Sequence, residues 1–220
     1  MTSEAAPRER VTRPILEVLA VSLGMVLFAW FAHRGLPWIT LSTVGLLVTA
    51  ATIVISLRSL PRPAEVLGLA GLPRHPVFFF VVGAVIGAGG GMLHRYSLGL
   101  SVWPAGGVEV FAAIACLIGA TEELVYRGWL QGRAQVLGGP AAIVIAAVAH
   151  AAYKTALFAW PTTPMAIDYA GIALWTLLGG LVLGLLRAYS ESVGPSMLAH
   201  AAFDFMVYGA LVYAPWWVWG

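Results

Sequence analysis

Apolar residues in this chain come in long, almost unbroken stretches, separated by short polar or proline- and glycine-rich breaks. The stretches run Ile15 to Phe31, Ile39 to Leu57, Val77 to Leu93, Val108 to about Gln131, Ala141 to about Phe158 and Ile167 to Leu186, and a last one starts at Pro195. About 20 apolar residues suffice for a helix to cross a bilayer. The pattern therefore predicts an all-α polytopic membrane helical bundle of about seven transmembrane helices. The breaks suit that reading. His33-Arg34-Gly35-Leu36-Pro37, Trp103-Pro104-Ala105-Gly106-Gly107, Gly138-Gly139-Pro140 and Trp160-Pro161-Thr162-Thr163-Pro164 read as turns. Arg58 to Pro76 holds Pro61, Pro63, Pro73 and Pro76 and predicts a loop carrying a short amphipathic helix on the membrane surface. There is no internal repeat and no low-complexity segment.

Finer patterning marks contacts and ends. Gly83, Gly87 and Gly91 recur every four residues, as do Gly180 and Gly184. Each stripe lets another helix backbone come close. Glu109 belongs to the first turn of the fourth span, where a carboxylate suits a helix N-terminus, and Asp168 reads as a cap or first-turn acid of the sixth. Pro195 suits the first position of the seventh helix. Trp216-Trp217-Val218-Trp219 reads as an aromatic belt at the interface.

Composition sharpens the membrane reading. The 220 residues are 60% hydrophobic and only 10% charged, against about 25% charged in soluble domains. A net charge of +2 gives no reason to expect nucleic acid. The single cysteine, Cys116, excludes an internal disulfide framework and a cysteine-ligated metal, and mid-span it reads as a small core hydrophobe. Residues 1–14 form a polar cytoplasmic tail, and the first apolar run is a retained helix, being too long for the core of a cleaved leader. With the N-terminus inside, Arg8, Arg10, Arg13, Arg58, Arg62, Arg74, Arg127, Arg133 and Arg187 fall on the inner side, and Arg34, Arg95 and Lys154 on the outer. That bias obeys the positive-inside rule. It puts the C-terminus outside and the pair Glu122-Glu123 near the inner end of its helix. Arginine outnumbers lysine eleven to one, a hint of a bacterial inner membrane. Glu17 reads as interfacial and His75 as solvated in its loop.

What remains inside the spans is Glu122, Glu123, Arg127, His150, His200 and Asp204. A charge at the centre of a spanning helix costs roughly 2.5–3.5 kcal/mol on insertion scales, so such residues face a polar interior and mark function. Glu123 and Arg127 are four apart and can pair on one helix face. Glu122 points about 100° away and is left free. His200 and Asp204 share a face of the seventh helix. Three acids, two histidines and an arginine from three helices predict a polar intramembrane active-site cavity. Such a pocket suits water activation: a carboxylate base, an imidazole to orient the water, and a polar pair for the oxyanion of an attacked amide.

Glu122-Glu123-x-x-x-Arg127, then His150 on the next helix, then His200-x-x-x-Asp204 resembles the CPBP family of intramembrane glutamic proteases. These are relatives of the prenyl-protein (CAAX) processing protease Rce1. The stretch EELVYRGWL from Glu122 is similar to the family's first motif, and Gly180-x-x-x-Gly184 through His200 to its last. The resemblance covers about residues 105–208. It implies an endopeptidase acting on a membrane-anchored protein or peptide precursor, with residues 15–100 as amino-terminal helices and 101–220 as the catalytic core. It implies that Glu122 activates water with help from His150, that His200 and the residue at 204 stabilise the oxyanion, and that Glu123 and Arg127 organise the site. No cofactor is expected. Two positions depart from the pattern. Asp204 stands where asparagine is common, and an ionised aspartate only accepts hydrogen bonds, so it would either orient His200 or stay protonated in a dry site. Ala146 stands where phenylalanine is common, which implies a larger pocket or one filled by a neighbour such as Phe158.

Three other readings use the same residues. His150, His200 and a carboxylate make an acceptable zinc shell, without an H-E-x-x-H motif. Gly194-Pro195-Ser196 faintly resembles a serine nucleophile turn, without a later helix to bring a histidine. A non-catalytic scaffold or carrier could use the pocket to bind a ligand or ion. Beyond the substrate, the one implied partner is the lipid bilayer; oligomeric state is left open, because the glycine stripes can pack within one chain.

Overall fold

In the computed structural model, residues 7–104, 108–161 and 165–211 are described; of residues 7–10 only the backbone is. Every regular element among them is helical. The elements are α1 (Pro7–Ala32), α2 (Ile39–Ser59), the short α3 (Pro63–Leu67), α4 (Pro76–Ser97), α5 (Val110–Glu123), a π-helical segment (Leu124–Leu130), α6 (Gln131–Ala134), a 3₁₀ turn (Gln135–Leu137), α7 (Gly139–Leu157), α8 (Tyr169–Ser190) and α9 (Gly194–Tyr208). The aromatic cluster at 216–219, the tail before Pro7, and the centres of the turns at 105–107 and 162–164 lie outside the described residues.

Among the described residues five helices are long and apolar enough to cross a membrane: α1 from Val11, α2, α4, α7 and α8. The chain is a multi-pass membrane protein by this measure. The fourth and seventh expected spans are built differently. α5 has 14 residues and α9 has 15, short of the roughly 20 that span hydrocarbon alone. α5 gains length because the π-helical segment and α6 continue it, so the helical run reaches Leu137. Glu122 and Glu123 are thus the last two residues of α5 itself and lie near the middle of the longer run. α1 also begins earlier than the apolar run, at Pro7 rather than Ile15. Arginine and glutamate are good helix formers and proline is tolerated in a first turn, so part of the expected tail is helix.

α1 packs along α2 and against α7, α7 along α8, and α9 lies between α4 and α5. The glycine stripes make the tightest of these contacts. A methyl group on Gly83, Gly87 or Gly91 would meet the α9 backbone at Pro195, Ala199 or Phe203, so α4 and α9 touch with bare backbone. On α8, Gly180 lies against Ala147 and Gly184 against the Ile143 side chain of α7. The principal core is formed by Val21, Ala29, Tyr126, Trp129, Leu130, Ala142 and Ala146, with Phe158 packed against it.

The ends carry polar fastenings. Glu17 accepts from Arg13, Arg133 and Ser56, which ties α1 to α6 and α2. At the other end Arg34 lies 3.9 Å from the Trp160 ring centroid and 4.4 Å from that of Trp38. Asp168 caps α8 by accepting from the Gly171 amide at 2.9 Å. Glu109 precedes α5 as its cap residue, but its side chain makes no capping bond. The loop at 60–75 carries the short helix α3, none of whose residues is fully buried, and is pinned just after it. Gly68 accepts from the Val193 amide and rests on the Arg187 guanidinium.

Candidate functional site

The residues from Tyr126 to Gln131 are all buried, and spacings of three and four sort them onto separate faces. Tyr126, Trp129 and Leu130 enter the core. Arg127 and Gln131 face α8 at Gly180 and Gly184, while Gly128 and Gly132 lie against the backbone of Leu67 and Val66. This π-helical stretch follows the acid pair directly; π turns are rare and concentrate at functional sites.

Glu123 and Arg127 pair as their spacing predicts. Arg127 Nη1 lies 2.8 Å from Glu123 Oε1, with both side chains fully buried. The same Nη1 lies 2.8 Å from His150 Nδ1. A guanidinium can only donate, so His150 Nδ1 accepts and its proton is on Nε2. That Nε2 donates to Glu122 Oε2 at 3.2 Å. His200 Nδ1 lies 2.9 Å from Glu123 Oε1; the carboxylate accepts, so Nδ1 carries a proton. His200 Nε2 is then aimed at Glu122 Oε2 and Asp204 Oδ2, 3.8 Å from each.

All six expected residues therefore meet in one cluster, supplied by α5, the π-helical segment, α7 and α9. The two imidazole centroids are 5.9 Å apart, and Tyr126 stacks on His150 at 4.4 Å. α5 approaches α9 closely because position 119 is glycine. A methyl group there would collide with the Asp204 carboxylate and the His200 ring.

Glu122 is not left free, as the helix geometry alone suggested. Its Oε1 accepts from Lys154 Nζ at 2.7 Å and from the Tyr153 hydroxyl at 3.3 Å. Sequence reasoning placed Lys154 among the outer charges and passed over Tyr153. Lys154 sits four residues after His150, and that spacing was the signal that it shares the histidine's helix face. Arg127, counted as an inner charge, is likewise a buried site residue. Neither belongs in a tally of loop charges.

The cluster is closed on most sides. Glu123 and Arg127 have no exposure, Glu122 and His150 have 6% and 4%, while the side chains of Lys154, His200 and Asp204 keep 25%, 11% and 9%. Two apolar grooves, of about 470 Å³ between α4 and α8 and about 630 Å³ over α1, α7 and α8, are lined by none of these seven side chains. The expected residues thus form a tightly packed cluster whose exposure is confined mainly to Lys154, His200 and Asp204. Several of its atoms are buried without a partner among the described residues: Glu123 Oε2, Arg127 Nε and Nη2, the Tyr126 hydroxyl and Gln131 Oε1. Buried polar atoms of this kind are the usual places for ordered water.

Other reactive side chains are tied elsewhere. The Ser196 hydroxyl is fully buried and donates to the Leu183 carbonyl at 2.9 Å. Cys116 Sγ lies 3.2 Å from the Ala201 carbonyl, part-buried at the α5–α9 contact.

Residues 104–206 match the sequence family described as type II CAAX prenyl endopeptidase Rce1-like. The matched segment contains every residue of the cluster. No curated protein and no solved structure matches the chain.

Proposed function

From the match of residues 104–206 to the Rce1-like family we propose an intramembrane endopeptidase in which Glu122 activates water. The family implies CAAX-type protease activity at a membrane. The glutamate mechanism is our reading of the cluster, and one observation carries it: Glu122 Oε2 lies between two imidazole nitrogens, 3.2 Å from His150 Nε2 and 3.8 Å from His200 Nε2.

A water drawn into that gap gives a proton to Glu122 Oε2 as its oxygen bonds to the scissile carbonyl carbon. The carbonyl oxygen becomes an oxyanion. His200, held through Nδ1 by Glu123, can donate from Nε2 when it is an imidazolium; in that state three carboxylates face Arg127, Lys154 and His200 and the charges balance. As the intermediate collapses, the C–N bond breaks and the leaving nitrogen takes the proton back from Glu122. General base catalysis is worth about 10²–10⁴-fold and an oxyanion donor about 10²–10³-fold. In this scheme Asp204 orients His200, and Arg127 fixes the His150 tautomer.

The remaining assignments follow the same reading. α5 with its continuation and α9 lie in the bilayer with the five long helices, which gives seven passes. The N-terminus is cytoplasmic and the membrane a bacterial inner membrane. Residues 15–100 support a catalytic core formed by 101–220. The substrate is a membrane-anchored protein or peptide precursor. Zinc is disfavoured by the donor set: both His150 nitrogens already serve Arg127 and Glu122, and an ammonium occupies Glu122 Oε1.

The test compares membrane proteomes of cells carrying wild-type protein and Glu122→Gln. Uncleaved precursors should accumulate in the variant, and wild-type cleavage in isolated membranes should survive a zinc chelator. Identical proteomes would favour a carrier or scaffold, and chelator-sensitive cleavage would favour the metal.

A further inference from the structure

Lys154 is the only lysine in the chain; every other basic chain is arginine or histidine. Its single amine lies 2.7 Å from Glu122 Oε1, and no other cationic side chain reaches that oxygen among the described residues. Tyr153, next to it, adds a hydroxyl to the same oxygen at 3.3 Å. The two oxygens of Glu122 thus have different surroundings. Oε1 takes an ammonium and a phenol. Oε2 takes only imidazole, with the wider 3.8 Å gap on the His200 side.

We propose that Lys154 is a positioning residue of the reaction: it pins Glu122 Oε1, so that Oε2 alone is presented to the water between the two histidines. The proposal rests on the endopeptidase reading above. A carboxylate without that anchor can rotate about its last side-chain bond, a broad torsion, and exchange its two oxygens. Lysine suits the task where arginine would not. Its ammonium is a compact point charge on a flexible stem, whereas a guanidinium is a planar fork that prefers to take both carboxylate oxygens at once. A fork would cover Oε2 as well as Oε1. Lys154 is also the most exposed member of the cluster at 25%, so small solutes can reach the place it occupies.

Two measurements on the full-length protein in proteoliposomes decide the matter. The first needs no turnover. A water-soluble amine-acylating reagent modifies Lys154, located by mass spectrometry without interference from any other lysine. Acylation should run at least about tenfold faster in Glu122→Gln than in wild type, because the amine loses its carboxylate; equal rates would overturn the pairing. The second reads turnover of a quenched CAAX-peptide probe. Lys154→Met should lower kcat by about 10- to 100-fold with KM within about threefold. Lys154→Arg should fail to restore kcat, and added ethylammonium should restore it in part to Lys154→Ala. Wild-type kcat in Lys154→Met, or full activity in Lys154→Arg, would overturn the positioning role. If the wild-type protein cleaves nothing while acylation still depends on Glu122, the endopeptidase reading falls and with it the catalytic purpose of the pin, though the ion pair stands. A thermal unfolding midpoint for each variant separates loss of function from loss of fold.

Discussion

Glu17 on α1 and Glu122 on α5 are both acids in apolar helices, and both are answered by cations, but the company differs. Glu17 takes Arg13 on Oε1, and on Oε2 the Nε and Nη2 of Arg133 together with the Ser56 hydroxyl. Glu122 takes an amine, a phenol and two imidazoles. Guanidinium does not release its proton in proteins, so the Glu17 cluster can hold helices together and do little else. Imidazole gives and takes protons near neutrality, so the surroundings of Glu122 permit chemistry. A buried acid becomes a candidate base through the groups that accompany it, more than through its burial.

The comparison can be broken experimentally, and the largest effect belongs to Glu122. Glu122→Gln should cost roughly 10³-fold or more in kcat, within the range of a lost general base plus misplaced water, while the unfolding midpoint of the purified protein barely moves. Arg127→Met should instead act on the fold. It takes the guanidinium from the fully buried Glu123 and leaves His200 Nδ1 as its one remaining partner; breaking a buried pair from one side costs about 3–5 kcal/mol, and denaturant or thermal unfolding in detergent would read it. Gly87→Val drives a side chain into the Ala199 backbone and should cost about 3 kcal/mol, the upper part of the overpacking range; loss of protease resistance at the α4–α9 contact would report it. The smallest effect is expected at Glu17→Gln, about 1–2 kcal/mol of stability from weakened charge-assisted bonds, with turnover at the wild-type level. A Glu17→Gln variant that loses turnover would collapse the distinction between clamp and site.

Much of this was legible from residues alone. The apolar runs predicted the helices because a bilayer demands them, and the glycine stripes marked close approaches on α4 and α8 because a missing side chain permits them, though not which helix would come. The pair Glu123 and Arg127 followed from spacing. The misses share a cause. Lys154 was assigned by counting charges along the chain, and such a count does not see that His150 and Lys154 lie on one helix face. The full helical length to Leu137 was hidden because the π-helical segment breaks the 3.6-residue period on which the reading of span ends depends. Glu122 was taken as unpartnered because its partners come from α7 and α9, and intrahelical geometry says nothing of another helix.

The π-helical segment is gripped by the core at Tyr126 and Trp129, by α8 at Arg127, and by the 60s loop at Gly128 and Gly132. It behaves as the fixed jaw of a vice. An extended peptide chain reaching Glu122 would have to slide in along the opposite jaw, over the rim where Lys154, His200 and Asp204 still see the outside. The direction of approach is therefore set by which wall of the site is anchored.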